Sequence, residues 1–141
     1  MWPFRKSKSS DEPAHLRAGR WGEELAAKYL RRHGYKILET RIRVGRRDEL
    51  DIIAREGDIL VFVEVKTRAT ERMGRPVESV KKNKRDALAR AAMRYMKRLR
   101  RKPPQFRFDV VEVIGREGEG VPEVRHLTNV FTLPKSYRVS W

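Results

Sequence analysis

The sequence predicts an α/β domain with elements in the order α-β-β-β-α-β-β, on three observations. Apolar residues recur at helical spacing over two stretches, His15 to His33 and Lys81 to Lys102. Short runs of branched residues, Leu50 to Ala54 and Ile59 to Val65, flank a glycine-containing turn. A further β-prone run, FRFDVVEVI from Phe106 to Ile114, follows the second helix. At 141 residues the chain suits a single domain, expected over residues 15 to 141.

Residues 1 to 14 are polar and basic, are punctuated by Pro3 and Pro13, and read as a flexible tail. Trp2 and Phe4 stand there among Arg5, Lys6 and Lys8, a pattern open to membrane-surface contact or base stacking as well as to plain disorder. In the first helix Ala18, Gly22, Leu25, Ala26, Tyr29 and Leu30 mark an apolar side, and Gly34 supplies the stop. Glu24 has Lys28 at i+4 and reads as an exposed pair. Glu23 sits at the border of the apolar side, where two readings fit: a carboxylate favoured by the helix dipole, or an acid reaching into a site. Tyr35 to Val44 reads as a strand, and Gly45-Arg46-Arg47 as a basic turn.

Arg55 to Asp58 joins the next two runs into a hairpin that carries Asp51, Glu64 and Lys66. If Gly57-Asp58 is a two-residue turn, Asp51 faces Glu64 directly. If the loop is the four residues Arg55 to Asp58, Asp51 faces Phe62 and Glu64 is its diagonal neighbour. Either register puts both carboxylates on one face, with Cβ atoms about 5 Å apart if paired and about 7 Å if diagonal. A three-residue loop would separate them. Lys66 shares the face of Glu64, Leu60 and Phe62. An edge strand reaching solvent accounts for such charges. So does a site, because two carboxylates can hold a hard cation on a substrate phosphate while an ammonium orients water or offsets charge.

Thr67 to Val80 reads as a loop, with Arg68, Arg72 and Arg75 close to Lys66 as a phosphate approach. The second helix follows a stripe of Leu88, Ala91, Ala92, Tyr95 and Leu99 and is stopped by Pro103-Pro104. Lys84 continues that stripe one turn back, so it projects from the core-facing side. The segment holds eleven Lys and Arg, Lys81, Lys82, Lys84 and Arg85 at its start, against Asp86 alone, which is +10 of the chain's net +15. So one-sided a charge favours phosphate-backbone contact without implying base reading. Phe106 to Ile114 is a strand, Gly115 to Gly120 a turn and Val121 to Leu127 a returning strand. Asp109 reads as structural, His126 has no evident partner, and Phe131, Leu133, Tyr137 and Trp141 are expected to pack on the domain.

With 39% apolar and 38% charged residues, the composition is that of a small globular protein with a highly charged surface, and the basic excess points to a polyanionic partner, nucleic acid first. Cysteine is absent, which excludes disulfides and thiolate metal sites, and His15, His33 and His126 are too few for a His-rich zinc site. No P-loop or dinucleotide-binding glycine motif is present. No apolar run approaches the roughly 20 residues of a membrane span, and no secretory signal opens the chain. A cytoplasmic protein without membrane association is the expectation.

Over residues 16 to 131 the chain resembles the PD-(D/E)xK nuclease superfamily, and more closely the YraN-type family of uncharacterised endonuclease candidates, which look like archaeal Holliday-junction resolvases. The carriers are Gly19-x-x-Gly22-Glu23, Glu49-Leu-Asp51-Ile-Ile-Ala, Phe62-Val-Glu64-Val-Lys66-x-Arg68, Lys84 and Arg107-Phe-Asp109-Val. The resemblance implies a restriction-endonuclease-like core, a mixed central sheet flanked by helices. It implies Mg²⁺ or Mn²⁺ on Asp51 and Glu64 with the Val65 carbonyl as a further ligand, Lys66 positioning or activating water, Glu23 completing the site and Lys84 holding phosphate. Where the family has glycine before its Glu-x-Asp, this chain has Asp48, for which the sequence suggests no role. The expected activity is metal-dependent hydrolysis of DNA phosphodiesters, structured or branched DNA included, with a homodimer suited to two-strand chemistry. The competing expectation is a non-catalytic nucleic-acid-binding module on a nuclease-like scaffold.

Overall fold

The computed structural model describes residues 12–70 and 82–133. Most of the expected tail, Arg72, Arg75, Lys81, Tyr137 and Trp141 lie outside these residues. Seven elements follow in the expected order: α1 (Ala14–Arg32), β1 (Lys36–Val44), β2 (Asp48–Glu56), β3 (Ile59–Arg68), α2 (Lys82–Lys97), β4 (Gln105–Arg116) and β5 (Glu119–Phe131). The strands form one open sheet in the order β1-β2-β3-β4-β5. Only β3 and β4 run parallel, and α2 lies in the connection between them. This mixed sheet flanked by helices is the architecture the sequence and its resemblance imply.

Each face of the sheet is covered by one helix. Ala26, Ala27 and Leu30 of α1 pack on Ile52, Ala54, Val61, Val63, Val111 and Val113. Leu88, Ala91, Ala92, Tyr95 and Met96 of α2 pack on Ile53, Leu60, Phe62, Phe108 and Val110. β3 is thus the central strand, apolar on both faces from Leu60 to Val63 because both faces are covered. That position removes the edge-strand account of Glu64 and Lys66.

The helix ends follow from local chemistry. Gly34, at φ +88°, closes α1 in a Schellman turn, with Tyr35 N–H donating to Leu30 O at 3.0 Å and Gly34 N–H to Arg31 O at 3.2 Å. α2 stops at Lys97, five residues before the expected end at Lys102. The Lys102 ammonium folds back and donates to the carbonyls of Met96, Lys97 and Leu99 at 2.8 to 2.9 Å, a cap that the approach of Pro103 alone does not reveal. β4 and β5 are longer than expected and continue to a tight turn at Glu117-Gly118. Among the described residues, no helix is long and apolar enough to cross a membrane.

Candidate active site

The β2–β3 turn is the two-residue Gly57-Asp58 form, with Glu56 paired to Ile59 and Ile52 to Val63. Extending that register by one residue sets Asp51 opposite Glu64. The ladder opens there, and Asp51 Oδ2 accepts the Val65 N–H at 2.9 Å in place of a strand carbonyl. Alternation along β2 also breaks at this point, since Leu50 and Ile53 join the α2-side core while Ile52 joins the α1-side core. On β1, Arg41 lies between the pairs Thr40↔Ile52 and Ile42↔Leu50, opposite Asp51, and has φ +49°. A non-glycine residue in the left-handed region costs energy and tends to mark a functional position. The kink frees Asp51 from both core layers.

Glu64 is only 5% exposed and faces α2. Its Oε1 lies 3.3 Å from Lys84 Nζ and 3.6 Å from Lys66 Nζ. Its Oε2 is buried without a hydrogen-bond partner. An unpartnered carboxylate oxygen is costly to bury, and either a proton shared with Asp51 or a bound cation would satisfy it. Burial, and then the Glu64 carboxylate, push the Asp51 carboxyl up to about 8; Glu23 adds to the rise and the Val65 N–H opposes it. The two acids therefore crowd each other where positive charge would relieve both.

Glu23 reaches this neighbourhood from α1. It stands well past the first turn of a helix that begins at Ala14, and no acid occupies that first turn, so the dipole account fails. The preceding Gly22 is buried, and a Cβ there would sit 1.9 Å from Thr67 Oγ1. Glycine thus lets α1 approach β3 closely and brings Glu23 to the site. Its carboxylate forms an ion pair with Arg41.

The remaining sequence candidates divide. Lys82 and Arg85 are exposed at the start of α2, while Lys84 turns inward to Glu64. Arg68 is only 10% exposed at its side chain and pairs with the buried Glu112 at 3.2 Å, with Arg125 on the other Glu112 oxygen at 3.8 Å. Arg68 therefore anchors the end of β3 against β4 rather than facing a ligand. Asp48 gains its role here: it is buried and accepts two bonds from Arg90, at 2.8 and 2.9 Å, tying the start of β2 to α2. The Arg90 hydrogen bond holds its carboxyl below the ordinary value in spite of burial. Asp109 is structural, as expected, fixed by Arg107, by the Asn129 N–H and by His126 Nε2 at 2.7 Å, which also gives His126 its partner. Sequence reasoning missed Arg41 and Glu112. A buried acid in the apolar run of β4 was a signal for Glu112, whereas nothing local announces the backbone turn at Arg41.

Among the described residues, no three His, Cys, Asp or Glu side chains are gathered tightly enough to hold a metal by themselves. Two converging carboxylates, one with an orphaned oxygen, still fit a hard divalent cation, because Mg²⁺ keeps several waters and takes further oxygens from a bound phosphate. His and Cys, the ligands of zinc, do not contribute.

Residues 22–113 match the model of the uncharacterised protein family UPF0102. A UPF0102 protein of Syntrophomonas wolfei is 45% identical over 113 residues, covering 80% of this chain and 96% of that protein. One from Symbiobacterium thermophilum is 50% identical over 69% of this chain and 81% of its own length. One from Koribacter versatilis is 42% identical over 87% of this chain and 85% of its own length.

Proposed function

The chain belongs to the uncharacterised protein family UPF0102, and we propose that it is a metal-dependent endonuclease hydrolysing DNA phosphodiester bonds, structured or branched DNA included. The observation that carries this reading is the Asp51 and Glu64 pair: two crowded carboxylates, one oxygen of Glu64 orphaned, with two ammonium groups beside them. Asp109, held by Arg107, His126 and the Asn129 N–H, has every oxygen satisfied, and Glu112, which shares a buried oxygen without a hydrogen bond, lies between two arginines.

In this reading Asp51 and Glu64 hold Mg²⁺ or Mn²⁺, with the Val65 carbonyl as a further ligand. The bound cation supplies positive charge against the negative charge that builds on the phosphate oxygens. Lys66 donates a hydrogen bond that orients the attacking water in line with the leaving oxygen. Lys84, beside the same Glu64 oxygen, contacts a non-bridging phosphate oxygen. Glu23 completes the acidic cluster, and Arg41 keeps its carboxylate at the rim of the site. Lys82 and Arg85 meet the flanking backbone. Cytoplasmic location, and a dimer when two strands are cut, belong to the same proposal.

The deciding experiment presents single-stranded, duplex, flapped and four-way DNA to the purified protein with Mg²⁺ or Mn²⁺. Nicking of at least one substrate is expected, together with loss of cleavage but retained binding in Asp51→Ala and Glu64→Ala. Cleavage that survives either substitution sinks the assignment. Binding without cleavage by the wild type favours a non-catalytic nucleic-acid-binding module instead.

A further inference from the structure

A second basic cleft lies between the β1–β2 turn and the flank of α2, lined by Arg46, Arg47, Asp48, Arg90 and Arg94. Gly45 has φ +71°, and a Cβ there would stand 2.5 Å from Nη1 of Arg94, so the Arg94 guanidinium lies directly against the turn. Asp48 is only 8% exposed and is engaged in both directions by Arg90. The one carboxylate of the cleft is therefore committed. Arg46, Arg47 and Arg94 are exposed, and among the described residues none of them has a carboxylate within ion-pair distance. The Asp48 carboxylate also feels Arg47 and Arg94, but one acid among four arginines leaves the cleft with an excess of positive charge, and planar guanidinium donors match phosphate oxygens in paired hydrogen bonds.

The location suits an extended anion. Asp48 precedes Asp51 by three residues on β2, about 10 Å along the strand. Arg90 and Arg94 follow Lys84 on α2 by about 9 and 15 Å of helix rise. A duplex strand presents one phosphate about every 3.4 Å of axis, so a backbone anchored at Lys84 reaches the cleft within a few phosphates. A lone phosphate ion would have no need of that alignment.

We propose that this cleft is a phosphate-binding site that grips the nucleic-acid backbone a few nucleotides from the Asp51 and Glu64 centre. Arg46, Arg47 and Arg94 are its ligands, and Asp48 is the residue that fixes Arg90 as its wall. The inference rests on nucleic acid being the substrate, but not on cleavage.

The test is fluorescence anisotropy of labelled duplex and four-way DNA with the full chain in EDTA, repeated over a salt series. Arg47→Ala and Arg94→Ala are each expected to weaken binding at low salt and to lower the slope of log affinity against log salt by about one. Arg55→Ala, an exposed cation at the opposite end of β2, is expected to leave both unchanged. Wild-type affinity and slope in both cleft variants overturn the proposal. Calorimetry with inorganic phosphate covers the other source of the same chemistry: saturable heat lost in the variants, beside unchanged DNA affinity, also overturns it. A wild type that binds DNA without cleaving it refutes only the nuclease reading. A wild type that binds no nucleic acid refutes both.

Discussion

A Cβ on Gly22 would stand 1.9 Å from Thr67 Oγ1 and 3.0 Å from Thr67 Cβ, so α1 meets β3 at a contact that only glycine permits. The contact joins fold to site, because Gly22 precedes Glu23 and Thr67 follows Lys66.

Gly22→Ala should therefore destabilise the protein. Helix propensity alone would reward alanine by about 1 kcal/mol, whereas overpacking a close contact costs about 1 to 3 kcal/mol or more. Gly19 offers the matched control, since its Cβ would meet nothing within 4 Å. Urea denaturation is expected to show Gly19→Ala as neutral or stabilising and Gly22→Ala as destabilising. Thr67→Ala should recover part of the loss in the double variant, and simple additivity of the two would contradict a direct clash.

How far the site could be read from the sequence depended on the range of the interactions. The facing of Asp51 and Glu64 followed from turn length and period-two geometry, both local, and the structure selects the two-residue turn. Lys84 was legible because the α2 stripe fixed its direction, and it does turn toward Glu64. Asp48 was not legible, because its partner Arg90 lies 42 residues away and charged residues on α2 look alike in sequence. Arg68 misled for the same reason: an arginine at a strand end resembles a phosphate ligand until buried Glu112 from the parallel neighbour is seen beside it. The end of α2 was misplaced because a lysine cap is indistinguishable from one more basic residue.

Asp51 gives a pH prediction whose sign follows from linkage. Its carboxyl is raised to about 8 in the folded, cation-free protein against an ordinary 3.8, first by burial and then by Glu64, with Glu23 adding to the rise. Between those values the native state holds a proton that the unfolded chain has released. Stability of the cation-free protein should thus fall as pH rises through that window. Lys66 and Lys84 lie against Glu64 of the pair, and the Val65 N–H opposes the rise. Thermal melts in EDTA are expected to show this decline, and Asp51→Asn to flatten it. Mn²⁺ should raise the melting temperature of the wild type most at the alkaline end, where no proton competes, and leave Asp51→Asn unmoved. A melting temperature that climbs steadily with pH in EDTA would contradict the crowded pair.

Asp109 provides the contrasting case, in which a buried acid serves the fold. Burial alone would raise its carboxyl, but hydrogen bonds from His126, Arg107 and the Asn129 N–H hold it below the ordinary value. Its contribution is accordingly present above the unfolded value of 3.8 and is lost as pH falls through the still lower folded value. Asp109→Ala would leave His126 and the Asn129 N–H without their acceptor while Arg107 keeps Glu56 and the Tyr35 hydroxyl, and a loss of about 1 to 3 kcal/mol is expected by urea denaturation. Val63, its neighbour in register, belongs to the α1-side core, whereas Glu64 faces Lys84 of α2. Cleavage per folded molecule should therefore survive Asp109→Asn while the acid limb of stability weakens. Asp51→Asn should do the reverse, because the oxygen it removes is one the fold would be more stable without. Loss of cleavage in a well-folded Asp109→Asn protein would move Asp109 from scaffold to chemistry.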